Sequence, residues 1–406
     1  MSATLGSELE RLGAVALVAL GGEGGDPDLA AFAGAAKLGE AFVVAPRGGA
    51  PRLAFLTPME RDEAAATGLA LLAPETLDVA RLTREHTEPG ALLAAWLAEA
   101  LRWSGVAPGR VALAGSWPAG ALVAAAGELE RAGWSFVSGN EAMRRARKRK
   151  RPGEVEEILR VTGAVAEAMR AVAGLLAAAT LRPGGELALE GEPLRVARLK
   201  REVALIFAGH GLSQPRSNIV APGEEGGVPH SAGTPERVLR AGESLIVDLF
   251  PKGTLFSDAT RTFCVGPPPE LLARAHADAR AALEQAHRLT RAGATGWELQ
   301  EATCTLLGAR GWPTQVSHPG TLTGYVHGLG HGVGYELHEL PSFRKGAGED
   351  GLLEAGDVVT IEPGLYEPGP SGFGVRLEDV VHLGPDGAEN LTPWPYDLDP
   401  RAWARG

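Results

Sequence analysis

The chain has 406 residues, 45% of them hydrophobic and 22% charged, enough for more than one core at roughly 150 residues per domain. Its 55 glycines and 29 prolines imply many turns and close backbone approaches without reaching a low-complexity composition. A net charge of −11 argues against a general nucleic-acid or anionic-membrane binder, and two cysteines, Cys264 and Cys304, cannot build a disulfide framework and fit a reducing, cytoplasmic setting.

Residues 1–140 alternate apolar runs with helical patterns. Strands are predicted at Ala14–Leu20, Ala41–Val44, Leu53–Leu56 and Val111–Ala114, and helices at Pro89–Trp103 and Pro118–Ala132. Such alternation implies an α/β layer domain. The run from Gly13 to Leu20 is too short to span a membrane, and it follows Glu8 and Glu10, where a signal peptide would carry positive charge; no other segment reads as a span. The glycine-rich turn from Gly21 to Pro27 is not a dinucleotide fingerprint. Counted from Gly22, the third glycine of G-x-G-x-x-G falls on Pro27.

A basic run then extends from Arg144 to Arg151. No aromatic residue interleaves it and its neighbours are acidic, so it reads as a solvated helix end or linker, not as a nucleic-acid patch. Pro152-Gly153 closes the run and marks a boundary, with a first domain over 1–148 and a second over 149–406. Helices are predicted next at Glu154–Ala179 and Leu194–Gly209, then as a pair at Glu270–Arg291 and Trp297–Ala309. Thr295 and Glu298 form a capping box ahead of the last. Strand-like stretches lie at Ser244–Phe250, Leu255–Val265, Asp357–Ile361 and Gly374–Leu383. Helices, strands, helices, strands is the order of an α+β domain with two similar halves.

Four stretches of this second domain carry chemistry. In the first, a three-residue loop at 252–254 would set Asp248 opposite Asp258 on one face of a hairpin. Like charges so placed repel, and buried carboxylates need a cation or a shared proton. The second runs from His327 to Gly334 with glycine at 328, 330, 332 and 334, followed by His338 and Glu339. Glycines destabilise a helix by about 1 kcal/mol each, so this is no zinc-binding helix; they let the backbone approach another segment closely. In the third, Glu362 ends the apolar strand Val358–Ile361, where an acid is out of place unless paired or bound to metal. In the fourth, alternation puts Arg376 and Glu378 on one face, where an ordinary ion pair is the plain alternative. Together these stretches offer four carboxylates and one imidazole. That donor set suits Mn²⁺, Co²⁺, Zn²⁺ or Fe²⁺, and four negative charges match two divalent ions.

With these residues in view, the chain resembles the pita-bread metallopeptidases: Xaa-Pro dipeptidase (prolidase), aminopeptidase P and, more distantly, methionine aminopeptidase and creatinase. The resemblance rests on Asp248, Asp258, Thr260 and Arg261, on His327 to Gly334, on Thr360 to Tyr366 and on Val375 to Asp379, in that order. It implies an α/β N-terminal domain of the creatinase type and an α+β pita-bread catalytic domain. Asp248, Asp258, His331, Glu362 and Glu378 would hold two divalent metal ions, manganese foremost, with Asp258 and Glu378 bridging. His230, His327 and His338 would be further site histidines, with Glu362 moving a proton, and Tyr366 and Arg376 would lie on the substrate side. The Asp248–Asp258 interval is one residue shorter than the family's usual pattern, and Phe250 stands where glycine is common. The arginine often found just after the His-Glu-x-Pro run is displaced to Arg344, the candidate for a dipeptide's carboxylate. The implied activity is hydrolysis of Xaa-Pro dipeptides. The alternatives are an aminopeptidase P acting on longer peptides, or a non-catalytic binding module, against which the five ligands speak. The implied partner is a small peptide with proline second, taken by a cytoplasmic homodimer that engages neither nucleic acid nor membrane.

Overall fold

The computed structural model describes residues 1–22 and 25–404; Glu23 and Gly24, in the middle of the glycine-rich turn, lie outside the described residues. The chain divides into two units, Met1–Arg147 and Lys148–Gly406.

The first unit is built on six strands: β1 (Ala16–Gly21), β2 (Ala41–Pro46), β3 (Arg52–Phe55), β4 (Ala70–Leu72), β5 (Arg110–Gly115) and β6 (Ser135–Ser138). They form one mixed sheet in the order β4-β3-β2-β1-β5-β6. All six residues of β1 are buried, which explains its continuous apolar sequence. The helices Pro89–Trp103 and Ala119–Glu130 bring Leu93, Leu97, Leu101 and Leu129 into one core with Val18, Phe42 and Val111. A helix at Ser2–Leu12 has no counterpart in the sequence reading. Its inward face is little more than Leu5 and Leu9, one turn apart, and it stops at Gly13 in the left-handed conformation.

The basic run is not a solvated face. Within the first unit Arg144 pairs with Glu141, Arg145 with Glu8 and Arg147 with Asp28. Within the second, Lys148 reaches Glu354 at 2.7 Å and Asp357 at 3.5 Å, and Lys150 meets Glu339 at 2.5 Å with both side chains buried. Arg151 pairs with Glu154, whose carboxylate also accepts from the Arg151 backbone N–H and so caps the next helix.

That helix, Pro152–Ala178, starts with proline at its first position, where no N–H is needed. By length and composition it could cross a membrane, contrary to the sequence reading, yet 56% of its apolar window is buried inside the fold. It packs with the helix Val196–Gly209 on a sheet of β10 (Ile219–Pro222), β11 (Leu245–Leu249) and β12 (Ala259–Phe263), sharing a core of Val165, Met169, Val203, Phe207, Val220 and Val247. A small sheet of β7 (Thr180–Leu181), β8 (Leu187–Leu189) and β9 (Glu192–Pro193) lies between those helices in sequence. The second half repeats the scheme. Helices Glu270–Leu289 and Gly296–Ala309 cover five strands in the order β14-β13-β15-β18-β19: β13 (His331–Gly332), β14 (Glu339–Ser342), β15 (Val358–Ile361), β18 (Asp379–Gly384) and β19 (Gly387–Asn390). A ribbon of β16 (Gly364–Glu367) and β17 (Phe373–Arg376) completes it. The capping box of Thr295 and Glu298 is formed, with N–H to oxygen distances of 2.7 and 3.2 Å.

The hairpin register differs from expectation. Asp248 faces Thr260 and Leu249 faces Ala259, so residues 250–258 form a longer turn. Lys252 is held in it by backbone hydrogen bonds to Ser213, and the Phe256 N–H donates to the Gly334 carbonyl. The shift is by two residues. An even shift keeps side-chain parity, so Asp258 becomes a diagonal neighbour of Asp248 instead of a direct one.

Candidate metal centre

Five strand ends deliver the acidic and imidazole side chains. Asp248 sits on β11, opposite Ile219 of β10 and Thr260 of β12. Asp258 immediately precedes β12, His331 opens β13, Glu362 follows β15, and Glu378 joins β17 to β18. The glycines around His331 are there because neighbouring chain leaves no room. A Cβ on Gly330 would lie 2.0 Å from the Thr360 carbonyl oxygen, and one on Gly332 1.9 Å from that of Leu340. Gly334 is crowded by Lys150 and Glu339, whereas Gly328 has open space.

One ligand atom each from Asp258, His331 and Glu378 lies within 4.8 Å of the other two. His331 Nε2 is 3.8 Å from Asp258 Oδ2 and 3.6 Å from Glu362 Oε1. Its Nδ1 is 3.0 Å from the Gly332 carbonyl oxygen and must carry the proton to donate there. Nε2 is therefore a bare lone pair facing two carboxylates. Burial first, then His338, push the His331 imidazole down to about 3, so protonation does not relieve the clash. Buried oxygens Oδ1 of Asp248 and of Asp258 have no hydrogen-bond partner. Oxygen and nitrogen donors converging with no hydrogen-bond donor between them are what a cation needs, and the residues fit divalent metal.

The surrounding shell fixes these groups. Thr260 Oγ1 donates to Glu378 at 2.7 Å, and the Glu378 N–H donates to the Thr260 carbonyl. Arg261, 1% exposed, donates to the Glu378 carbonyl at 2.7 Å and to Asp379 at 2.9 Å, with its guanidinium 4.6 Å from the Tyr396 ring centroid. Arg376 does not pair with Glu378, as shared parity suggested; it pairs with Asp248 at 2.5 Å and donates to the Tyr366 hydroxyl at 2.7 Å. That hydroxyl stands 2.9 Å from His327 Nε2. Because His327 Nδ1 donates to the Gly328 carbonyl, Tyr366 is the donor to Nε2. His338 is exposed beside His331, ring centroids 4.2 Å apart. His230 is exposed too, yet its charge bears on both His327 and His338. Arg344 is not brought in: its side chain points to solvent on a turn beyond β14. Gln300, whose Oε1 accepts from the Leu329 N–H and from Tyr325, braces the His327–His331 segment. Nothing in the sequence marks Gln300, because its role is set by a helix packing 29 residues away.

The fold and the site together define the class: a pita-bread metallopeptidase, two helix-covered half-sheets gathering carboxylates and an imidazole at their ends. Residues 156–385 match metallopeptidase family M24, more than half of the chain, and the chain belongs to that family. It is 33% identical over 199 residues to the probable dipeptidase PepE of Mycobacterium tuberculosis, 48% of each chain. It is 32% identical over 216 residues to the Xaa-Pro dipeptidase of Pyrococcus furiosus, 51% of this chain and 57% of that one. The chain thus spans about half the length of the curated relatives it matches. Among solved structures, the prolidase of Pyrococcus horikoshii superimposes with a TM-score of 0.74 at 20% identity, covering 98% of this chain and 99% of its own.

Without metal the site should make stability depend on pH. Burial lifts the Glu362 carboxyl to about 8, helped by Asp248 and opposed by Arg376. Burial and neighbouring carboxylates also raise Asp258 and Glu378. The folded chain then holds protons that the unfolded chain releases above about pH 4.5, so these acids destabilise increasingly as pH rises through about 8. His327 and His331, lowered to about 3, act oppositely, but their contribution is complete once the unfolded imidazoles are neutral, above about pH 6.5. Between about pH 6.5 and 8 the melting temperature of chelated protein should therefore fall. Differential scanning calorimetry checks this, and a rising melting temperature over that interval contradicts it.

Proposed function

We propose that this chain is a dinuclear metallopeptidase that hydrolyses Xaa-Pro bonds, in dipeptides first. The observation that carries the reading is the bare His331 Nε2 facing the Asp258 and Glu362 carboxylates within the M24 stretch. Asp248, Asp258, His331, Glu362 and Glu378 would hold two divalent ions. An oxygen-rich set with one imidazole suits Mn²⁺. Bound there, such ions supply Lewis acidity towards the scissile carbonyl and lower the pKa of water so that hydroxide is available near neutral pH.

The chain's own groups do the rest. His338 and His230, both exposed, can each present a ring N–H to the oxyanion that develops on the carbonyl oxygen. Glu362, partly open at 19% side-chain exposure, takes a proton and hands it to the departing imino nitrogen of proline. Arg376 holds Asp248 and Tyr366 in place, and Tyr366 fixes the tautomer of His327. Proline has no amide hydrogen, so peptidases that read that N–H handle it badly, and a site built around metal and imidazole does not depend on it. A homodimer in a reducing cytoplasm completes the reading. The buried free thiols Cys264 and Cys304 suit that compartment, and light scattering tests the assembly.

The deciding assay gives Mn²⁺-loaded protein Ala-Pro and a tripeptide with proline second. Turnover of Ala-Pro is the expected result. Rapid cleavage of the tripeptide with poor turnover of Ala-Pro moves the assignment to an aminopeptidase. His338→Ala should lower kcat by roughly 10²–10³ with metal content retained, the usual effect of losing an oxyanion donor. Metal loss in that variant would instead make His338 a ligand.

A further inference from the structure

The carboxylates of the site are not held alike. Asp248 is fixed by Arg376 and Glu378 by Thr260. Asp258 is 4% exposed, its Oδ1 accepts no hydrogen bond among the described residues, and its Oδ2 stands 3.8 Å from His331 Nε2. A carboxylate with no donor on its oxygen is placed by its backbone. That backbone ends the turn over 250–258, so whatever grips the turn aims the carboxylate.

The long helix Pro152–Ala178 grips it at two successive turns. Glu157 accepts from the Thr254 N–H at 2.9 Å and is itself held by two hydrogen bonds from Arg160. The chain lies so close here that a Cβ on Gly253 would fall 2.2 Å from Glu157 Oε1 and 3.1 Å from Val161 Cγ2. Further along the helix Thr162 meets Ser257, oxygen to oxygen at 2.7 Å, the two residues only 3% and 0% exposed. Thr162 Oγ1 also lies 2.8 Å from the Ile158 carbonyl oxygen. A hydroxyl has one proton and a carbonyl only accepts, so Thr162 donates to Ile158 and Ser257 donates to Thr162. Among the described residues the Ser257 hydroxyl has no other partner. The next residue is Asp258. On the other side of Ser257 in sequence, the Phe256 N–H donates to the Gly334 carbonyl at 2.7 Å, which ties this segment to the one carrying His331.

We propose that Thr162 is a positioning residue for the metal centre: through the Ser257 hydroxyl it sets where Asp258 presents its carboxylate beside His331, and so sets the affinity for divalent metal. The proposal rests on the reading of Asp258 as a metal ligand above. Stability alone does not call for two hydroxyls here, because apolar side chains of the same shape would fill the space with no polar atoms to satisfy. What the pair adds is direction. A hydrogen bond is directional and apolar contact is not, so the bond fixes the Ser257 side chain against a helix and denies the turn a sideways shift.

The test titrates metal-free protein with Mn²⁺ by calorimetry and follows chemical denaturation of the same preparations, for wild type, Thr162→Val, Thr162→Ser, Ser257→Ala and Thr290→Val. Thr290 is the control: it is buried and makes the same 2.8 Å hydrogen bond to the carbonyl four residues back, at the end of the helix Glu270–Leu289. Thr162→Val and Ser257→Ala should each weaken Mn²⁺ binding roughly tenfold or more, as loss of a group supporting a metal ligand does. Thr162→Ser keeps the hydroxyl and should stay within about threefold of wild type. Thr290→Val should lower stability without moving the affinity. Ser257→Ala leaves the Thr162–Ile158 bond intact and no buried donor unpaired, so it gives the answer even where Thr162→Val does not fold. Affinities within about twofold of wild type in Thr162→Val or Ser257→Ala overturn the proposal and leave a dinuclear peptidase standing. Equal weakening in Thr162→Ser or in Thr290→Val overturns it too, since general loosening would then be the cause. A wild type that binds no Mn²⁺ overturns the metal reading, and the proposal with it.

Discussion

Replacing Glu378 with glutamine should remove nearly all peptidase activity while leaving a folded protein. Glu378 is 2% exposed, lies in the cluster with Asp258 and His331, and accepts a hydrogen bond from the Thr260 hydroxyl. An amide of the same shape can keep the Thr260 contact through its oxygen but carries no charge to share between two ions. The fall should exceed the 10–100-fold typical of residues that merely support metal ligands. Stability of the metal-free protein should hold or rise, because neighbouring carboxylates already disfavour a charge at this buried position. Activity assays and chemical denaturation on the same preparation separate the two effects. Near-wild-type turnover per folded molecule would return Glu378 to a structural role.

Metal removal should produce the other large effect. The site gathers four carboxylates with little compensating charge beyond Arg376, so ions bound to the folded state alone should stabilise it strongly. At a thousandfold excess over the dissociation constant, one ion contributes about 4 kcal/mol. For a unit of this size that raises the melting temperature by roughly 10 °C. Reconstituted protein should contain two ions per chain by elemental analysis, lose activity on chelation, and melt lower by an amount of that order. Activity surviving exhaustive chelation, with metal content near zero, would sink the dinuclear assignment.

Much of the site was legible because its chemistry is local in sequence. An acid at the end of an apolar strand is anomalous whatever surrounds it, and alternate glycines at 328–334 announce a backbone that other chain must touch. Gly330 and Gly332 do meet such backbone, and Gly334 meets a buried lysine. The hairpin was read two residues out of register, and only even parity kept Asp248 and Asp258 on one face. What stayed hidden depends on contacts distant in sequence. Arg376 looked like the partner of Glu378, two residues away, but turns to Asp248 on another strand. Arg344 drew attention by its position after His338, yet its side chain is solvent-exposed. The basic run looked solvated because its acidic partners lie as far off as Glu339 and Glu354.

The pairing of Lys148 and Lys150 bears on how the catalytic unit can be dissected. The family match begins at residue 156, and a fragment cut there would look complete by sequence. It would lack both lysines. Asp357 and Glu339, each almost wholly enclosed, would then be left without their countercharges. Removing one member of a buried ion pair typically destabilises by roughly 3–5 kcal/mol. Glu339 also follows His338 directly and accepts from the Glu336 N–H, so losing Lys150 would loosen the bend that carries this imidazole into β14. A fragment beginning at residue 148 keeps both clasps. One beginning at 156 should fold poorly, and its inactivity would say nothing about the chemistry of the ligands it still contains.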